Sequence, residues 1–167
     1  MKTRKSGFTL VEILIVVIIL GILAAIIIPQ FTDASTSAKE SSLTSNLQTL
    51  RSQIGLYKIQ HGDEYPGGPG NTDVDVFTTC LTTVTNEIHE EWADGDGTKC
   101  GPYMPNVPEN PFITVEDTPL FTIDNTADGV PAGNNDSHWY FNSVTGAIAP
   151  NDDKVTADGT DTPHTDL

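Results

Sequence analysis

The sequence predicts an α+β fold, in which the outer half of one long N-terminal helix packs on a small antiparallel sheet. Three observations carry that reading. Residues Ile13 to Ile28 form a run of sixteen positions without a charged or hydrogen-bonding side chain. Leu43, Leu47, Leu50, Ile54 and Tyr57 recur at spacings of four, three, four and three, one stripe of an amphipathic helix. The C-terminal half then supplies short β-prone runs at Leu120 to Asp124, His138 to Phe141 and Ala147 to Ala149.

The apolar run predicts a membrane helix by its length. Phe8 to Ile28 is 21 residues, and a helix of that length spans about 31 Å, close to the ~30 Å hydrocarbon core of a bilayer. Lys2, Arg4 and Lys5 precede it with no acidic residue among them. The positive-inside rule therefore keeps the N-terminus in the cytoplasm and sends everything after Pro29 to the other side in a single crossing. Glu12 is the anomaly. An acidic residue at the centre of a membrane helix costs roughly 2.5–3.5 kcal/mol on insertion scales, so a carboxylate at the mouth of this run calls for a partner.

Three readings compete for the N-terminus. A secretory signal peptide has a shorter apolar stretch and a small-residue cleavage site, whereas here apolar residues continue past Leu23-Ala24-Ala25 to Ile28. A plain uncleaved anchor fits the hydropathy but leaves Glu12 unexplained. The third reading uses every residue. The segment Lys5-Ser6-Gly7-Phe8-Thr9-Leu10-Val11-Glu12 ahead of the apolar run resembles the class III signal of type IV pilins and type II secretion pseudopilins.

That resemblance implies a leader at residues 1–7, an assembly and transmembrane helix at 8–29 and a periplasmic globular domain at 30–150; the polar, acidic composition of 151–167 reads as a flexible tail. In the family a prepilin peptidase cuts after the glycine and methylates the new amine, which maps here to cleavage between Gly7 and Phe8 and N-methylation of Phe8. Glu12 and Pro29 fall where the family carries its assembly glutamate and a helix-breaking proline. Physically, cleavage creates a cation at Phe8, and two charges that are costly alone among packed apolar helices cost less as a pair. An incoming amine offered to the Glu12 of a neighbour would set axial register. The partners implied are other copies of the chain, minor pseudopilins, the prepilin peptidase and an inner-membrane assembly platform.

Composition bounds the remainder. Beyond Ile28 stand five basic against 22 acidic residues, a formal charge of −17. Phosphate backbones are bound by Lys and Arg, so nucleic acid is a poor partner, and the acidity reads first as a solubilising surface. The helix is expected to continue past Pro29 through Phe31, Ala34 and Ala38 into the Leu43–Tyr57 stripe, with bends at Gly21 and Pro29 and a stop at Gly62. Pro66 to Thr72 reads as a loop. Phe77, Leu81, Val84 and Ile88 return at helical spacing, Asp94-Gly95-Asp96-Gly97 is turn chemistry, and Ser143 to Gly146 turns the last two runs into a hairpin.

Two later motifs bear on the subfamily. Gly101 to Pro111 looks like the Tyr-x-x-x-x-Pro-x-x-Pro stretch of G-type major pseudopilins, and Trp139 to Gly146 looks like their terminal hairpin. Phe112-Ile113-Thr114-Val115 departs from the aromatic motif that often follows the paired prolines. The same resemblance implies calcium in an acidic loop, for which Asp124, Asp128, Asp136, Asp152 and Asp153 are the candidates, since calcium takes 6–8 oxygens. Ordinary acidic turns are the alternative. Cys80 and Cys100, the only cysteines, would lie in an oxidising space, where a disulfide is expected; two buried thiols are the alternative.

Catalytic motifs are missing from the sequence. His61, His89, His138 and His164 are scattered, and no H-E-x-x-H, C-x-x-C or phosphate-cradling loop occurs. His89-Glu90-Glu91 reads as an exposed helix end rather than a ligand cluster. The expectation is a structural subunit, not an enzyme: a type II secretion pseudopilin anchored in the inner membrane and assembled into a periplasmic filament. A type IV pilin of a surface fibre is the alternative within the class, and a membrane-tethered periplasmic binding protein the alternative outside it. Glu12 argues against the tip pseudopilin, which usually lacks that residue.

Overall fold

A computed structural model of the chain describes residues 7–86, 88–91, 98–157 and 162–167. Most of the expected leader and the Asp94–Gly97 turn lie outside the described residues. The chain divides into two compact units, one up to Ala38 and one from Lys39 to Leu167, so the globular unit begins nine residues later than the boundary expected at residue 30.

In the first unit the residues from Leu10 onward belong to α1, the 51-residue helix Leu10–Gln60. The helix continues through Gly21 and Pro29. Proline donates no backbone hydrogen bond, and immediately beyond it the Thr32 hydroxyl donates to the Ile28 carbonyl at 3.1 Å. Every side chain from Phe8 to Ile28 is exposed. Among the described residues α1 is the one helix long and apolar enough to cross a membrane.

In the second unit the predicted stripe is the core. Leu43, Leu47, Leu50, Ile54 and Tyr57 are all buried. The helix stops at Gln60, and Gly62 adopts a left-handed φ of 64°. Such a conformation costs glycine little, and it lets the Asp63 amide donate back to the Lys58 carbonyl at 2.9 Å. Helix α2, Val74–Thr82, starts on Asp73, whose carboxylate accepts from the amides of Asp75 and Val76; a side chain that satisfies orphan first-turn donors defines a helix start. Phe77, Cys80 and Leu81 are its buried face. The helix ends before Val84 and Ile88, and Ile88 is 67% exposed. A run of threonines, whose side chains bond back to the helix carbonyls at Thr82 and Thr83, closes it early.

Three strands form one sheet in the order β1 (Phe121–Asp124), β2 (Trp139–Asn142), β3 (Ile148–Pro150). β2 and β3 make the expected antiparallel hairpin, but β1 and β2 run parallel, pairing Phe121 with Trp139 and Ile123 with Phe141. The sheet is therefore mixed. The connection from Asn125 to His138 brings the chain back to the start of β1 instead of turning directly, and Asn142 holds it by donating to the carbonyls of Thr126 and Gly129. Phe77 of α2 packs on Phe121 and Phe141, ring centroids 4.7 Å apart in each case, which joins sheet and helices in one core.

The expected flexible tail is corrected. Asn151, Asp152 and His164 are buried, Val155 bridges to Pro163, and residues His164–Asp166 form a 3-10 turn. Polar pairing explains why so hydrophilic a segment packs. Asp152 accepts from His164 Nδ1 at 2.7 Å and from Asn110 Nδ2 at 2.6 Å, while the Asn110 amide donates to His138 Nδ1 at 3.0 Å.

Candidate functional site: the N-terminal segment and the acidic domain

Glu12 sits in the first turn of α1, and Thr9 is the residue ahead of that turn. The Thr9 amide and hydroxyl donate to Glu12 Oε2 at 3.2 and 3.3 Å, and the Glu12 amide donates to Thr9 Oγ1 at 3.2 Å. This reciprocal arrangement is a capping box, which satisfies helix-start donors that otherwise have no partner. Its sequence signal, Thr-x-x-Glu before an apolar run, is present in Thr9-Leu10-Val11-Glu12, and Thr9 is the residue that the sequence reading passed over. Gly7 and Phe8 lie just before it, both exposed, with no atom within 4 Å of a Cβ built on Gly7. The segment thus presents an open backbone at Gly7-Phe8, an aromatic side chain, and a carboxylate folded back over the helix start.

The cysteines differ from expectation. Neither forms a disulfide, and both are buried. Each turns to a different backbone carbonyl, Cys80 Sγ to His89 at 3.6 Å and Cys100 Sγ to Thr98 at 4.0 Å, so no disulfide joins them in this structure.

Residues that looked scattered form a second cluster. His89 Nδ1 accepts from the Tyr57 hydroxyl at 2.6 Å and its Nε2 faces Glu64 Oε2 at 2.7 Å. His61 stacks on Tyr57 with ring centroids 3.7 Å apart. Burial, then the neighbouring Cys80 thiol, pushes the Tyr57 phenol well above its ordinary range. A buried phenol of that kind supplies no nucleophile at neutral pH; the chain of bonds ties the Pro-Gly loop and the segment after α2 to the end of α1. His89 is therefore an internal strut with φ 67°, not an exposed helix end.

The acidic candidates are separately engaged. Asp124 accepts from the Thr126 amide and hydroxyl and from the Tyr140 hydroxyl, and these bonds, those of Thr126 first, hold its carboxyl below the usual range. Asp136 accepts from Asn134, Asp153 pairs with Lys154 at 2.8 Å, and Asp128 is exposed. Asp152 is saturated by Asn110, His164 and the Lys154 amide. Among the described residues no group of three or more His, Cys, Asp or Glu side chains is placed to hold a metal ion.

The features at the N-terminus define a class: residues 2–28 match the prokaryotic N-terminal methylation motif. Over a longer stretch the chain is similar to type II secretion system core protein G of Dickeya chrysanthemi, 36% identical over 66 residues, 40% of this chain and 42% of that one. The same protein of Pectobacterium carotovorum subsp. carotovorum is 30% identical over 111 residues, 66% of this chain and 64% of the relative. A fimbrial protein of Neisseria meningitidis serogroup B is 38% identical over 79 residues, 47% of this chain and 45% of its own. The chain spans about two fifths of the length of the first relatives it matches. No solved structure matches it. The long apolar helix joined to a small sheet is a pilin-like α+β arrangement.

Proposed function

We propose that the chain is a filament-building subunit, a pseudopilin of a type II secretion system involved in moving proteins across the outer membrane. One observation carries the reading: a methylation motif at 2–28 opens a helix whose apolar side chains, from Phe8 to Ile28, are all exposed among the described residues. Such a surface needs lipid or other helices. Both are supplied in turn if the subunit waits in the inner membrane, N-terminus cytoplasmic and acidic domain periplasmic, and then leaves it for a bundle of its own copies. A prepilin peptidase removes residues 1–7 and methylates Phe8. The Glu12 carboxylate then receives the amine of a neighbouring copy. Minor pseudopilins and an inner-membrane platform complete the assembly.

A type IV pilin of a surface fibre is the second reading, favoured by the similarity to the Neisseria fimbrial protein. Intact mass and N-terminal sequencing of the membrane-extracted protein test the common ground. The expected chain begins at methylated Phe8; a chain beginning at Met1 in cells with active peptidase overturns it. Deletion then separates the two readings, with lost exoprotein secretion expected for the pseudopilus and a lost surface fibre for the pilus.

A further inference from the structure

The globular unit is strongly acidic, yet two of its five basic residues share one groove. Arg51, Ile54, Gly55 and Lys58 lie at i, i+3, i+4 and i+7 of α1, one helix face. With Tyr65 and Ile148 opposite, they line a cavity of about 360 Å³. Its shape depends on small residues: nothing lies within 4 Å of a Cβ built on Gly55, and a Cβ on Gly146 would run into the Tyr65 ring. Arg51 donates through one nitrogen to the main-chain oxygens of Ile148 and Leu167, at 3.1 and 2.8 Å, and among the described residues no side-chain carboxylate pairs with it. Lys58 lies over the Tyr65 ring and 3.5 Å from Asp63, whose side chain is 89% exposed. A pair that open to water contributes little and is readily exchanged. Arg51 is already held by two main-chain oxygens, so the groove offers the Lys58 ammonium beside apolar walls, a combination suited to an acidic segment that also carries an apolar side chain.

The chain has such a segment. Val115, Glu116 and Asp117 form an exposed turn, Val115 at 67%, and neither carboxylate has an ion-pair partner among the described residues. The geometry points to this turn, on a second copy of the chain, as the occupant of the groove. Groove and turn are different surfaces, so the contact is heterologous, and heterologous contacts that do not close generate open helical polymers. Charge complementarity favours an acidic occupant: between globular units that carry five basic against 21 acidic residues, a contact that places acid on base removes repulsion where most other pairings add it. This inference rests on the filament reading and adds to the helix contacts a specific contact between globular units.

The test is zero-length carbodiimide cross-linking of filaments assembled from an equal mixture of isotope-labelled and unlabelled subunits, read by mass spectrometry. Mixed-label links from Lys58 to Glu116 or Asp117 are expected. Charge reversal supplies the second readout. Lys58→Glu, and separately Glu116→Lys with Asp117→Lys on the exposed turn, should each raise the critical concentration at least about tenfold, because like charges facing one another at an interface are strongly unfavourable. Combining them should restore assembly. Filaments of normal yield from both reversed variants, with Lys58 linked only within its own copy, overturn the contact and leave the filament reading intact. Links from Lys58 to a different subunit type overturn the second-copy occupant. Failure of the unmodified chain to polymerise overturns the filament reading itself, and this contact with it.

Discussion

At Glu12 the structure shows one duty, and the proposed filament would add a second. In the single chain the carboxylate accepts two bonds from Thr9 and completes the helix cap; in the proposed filament it would receive the charge of an incoming amine. Glu12→Ala should therefore be cleaved and methylated normally yet yield little polymer, checked by mass of the subunit and sedimentation of filaments. Normal polymer yield would contradict the role. Thr9→Val keeps the volume but removes the hydroxyl, and should weaken the helix start by about 0.5–2 kcal/mol, seen as faster amide exchange in the first turn. His138 carries a pH prediction. Burial holds its imidazole pKa below the ordinary value, with Glu109 opposing the shift. The unfolded chain then binds the proton more readily than the folded one, so stability is lost as pH falls below about 6.5. Melting temperatures of the wild type and His138→Gln should converge between about pH 7 and pH 5; parallel curves would show that His138 is not the titrating group.

Among the elements, α1 divides its work by position. From Ile13 to Ile28 it is apolar on all sides and exposed, while its second half confines buried apolar side chains to one stripe. Leu47→Ala should lower stability by about 2–5 kcal/mol, because a buried leucine leaves a cavity when truncated. Ile59→Ala, at a 79% exposed position, should stay within about 0.5 kcal/mol. Urea midpoints of the two variants check the contrast. The C-terminal clasp predicts a larger effect from a polar residue. Asp152→Ala strands the buried His164 and Asn110 without their acceptor, and each buried donor left unsatisfied costs about 1–3 kcal/mol. Residues 162–167 should then become sensitive to protease; resistance equal to wild type would mean that the backbone bridge at Val155–Pro163 alone holds them.

For the whole molecule, charge is the governing quantity. A polymer that gathers globular units of charge −16 works against repulsion whose range falls from about 30 Å at 0.01 M salt to about 8 Å at 0.15 M. Assembly of the purified subunit should therefore rise with ionic strength across that range, measured by sedimentation at fixed protein concentration. A yield independent of salt would mean that the acidic surfaces are kept apart in the filament. The same surplus makes Arg51 and Lys58 conspicuous, because few cations are present to decide which surfaces meet.

The sequence alone determined the features that depend on neighbouring positions along the chain. An uncharged run of sixteen residues, the Gly7–Glu12 segment before it and the Leu43–Tyr57 stripe are periodicities and spacings, and each reappears in the structure as a helix, a cap and a buried face. The hairpin of β2 and β3 was legible for the same reason, since its turn is local. Tertiary structure decided what depends on distant residues meeting. The parallel pairing of β1 with β2 depends on a fourteen-residue connection that carries no register signal. The two cysteines could be counted from the sequence but their orientation could not, and Glu64, His89 and Tyr57 became one chain of bonds only through folding. The acidic tail read as flexible because its composition is polar. It packs because Asp152 meets His164 and Asn110, a pairing across 12 and 42 residues that no local pattern encodes.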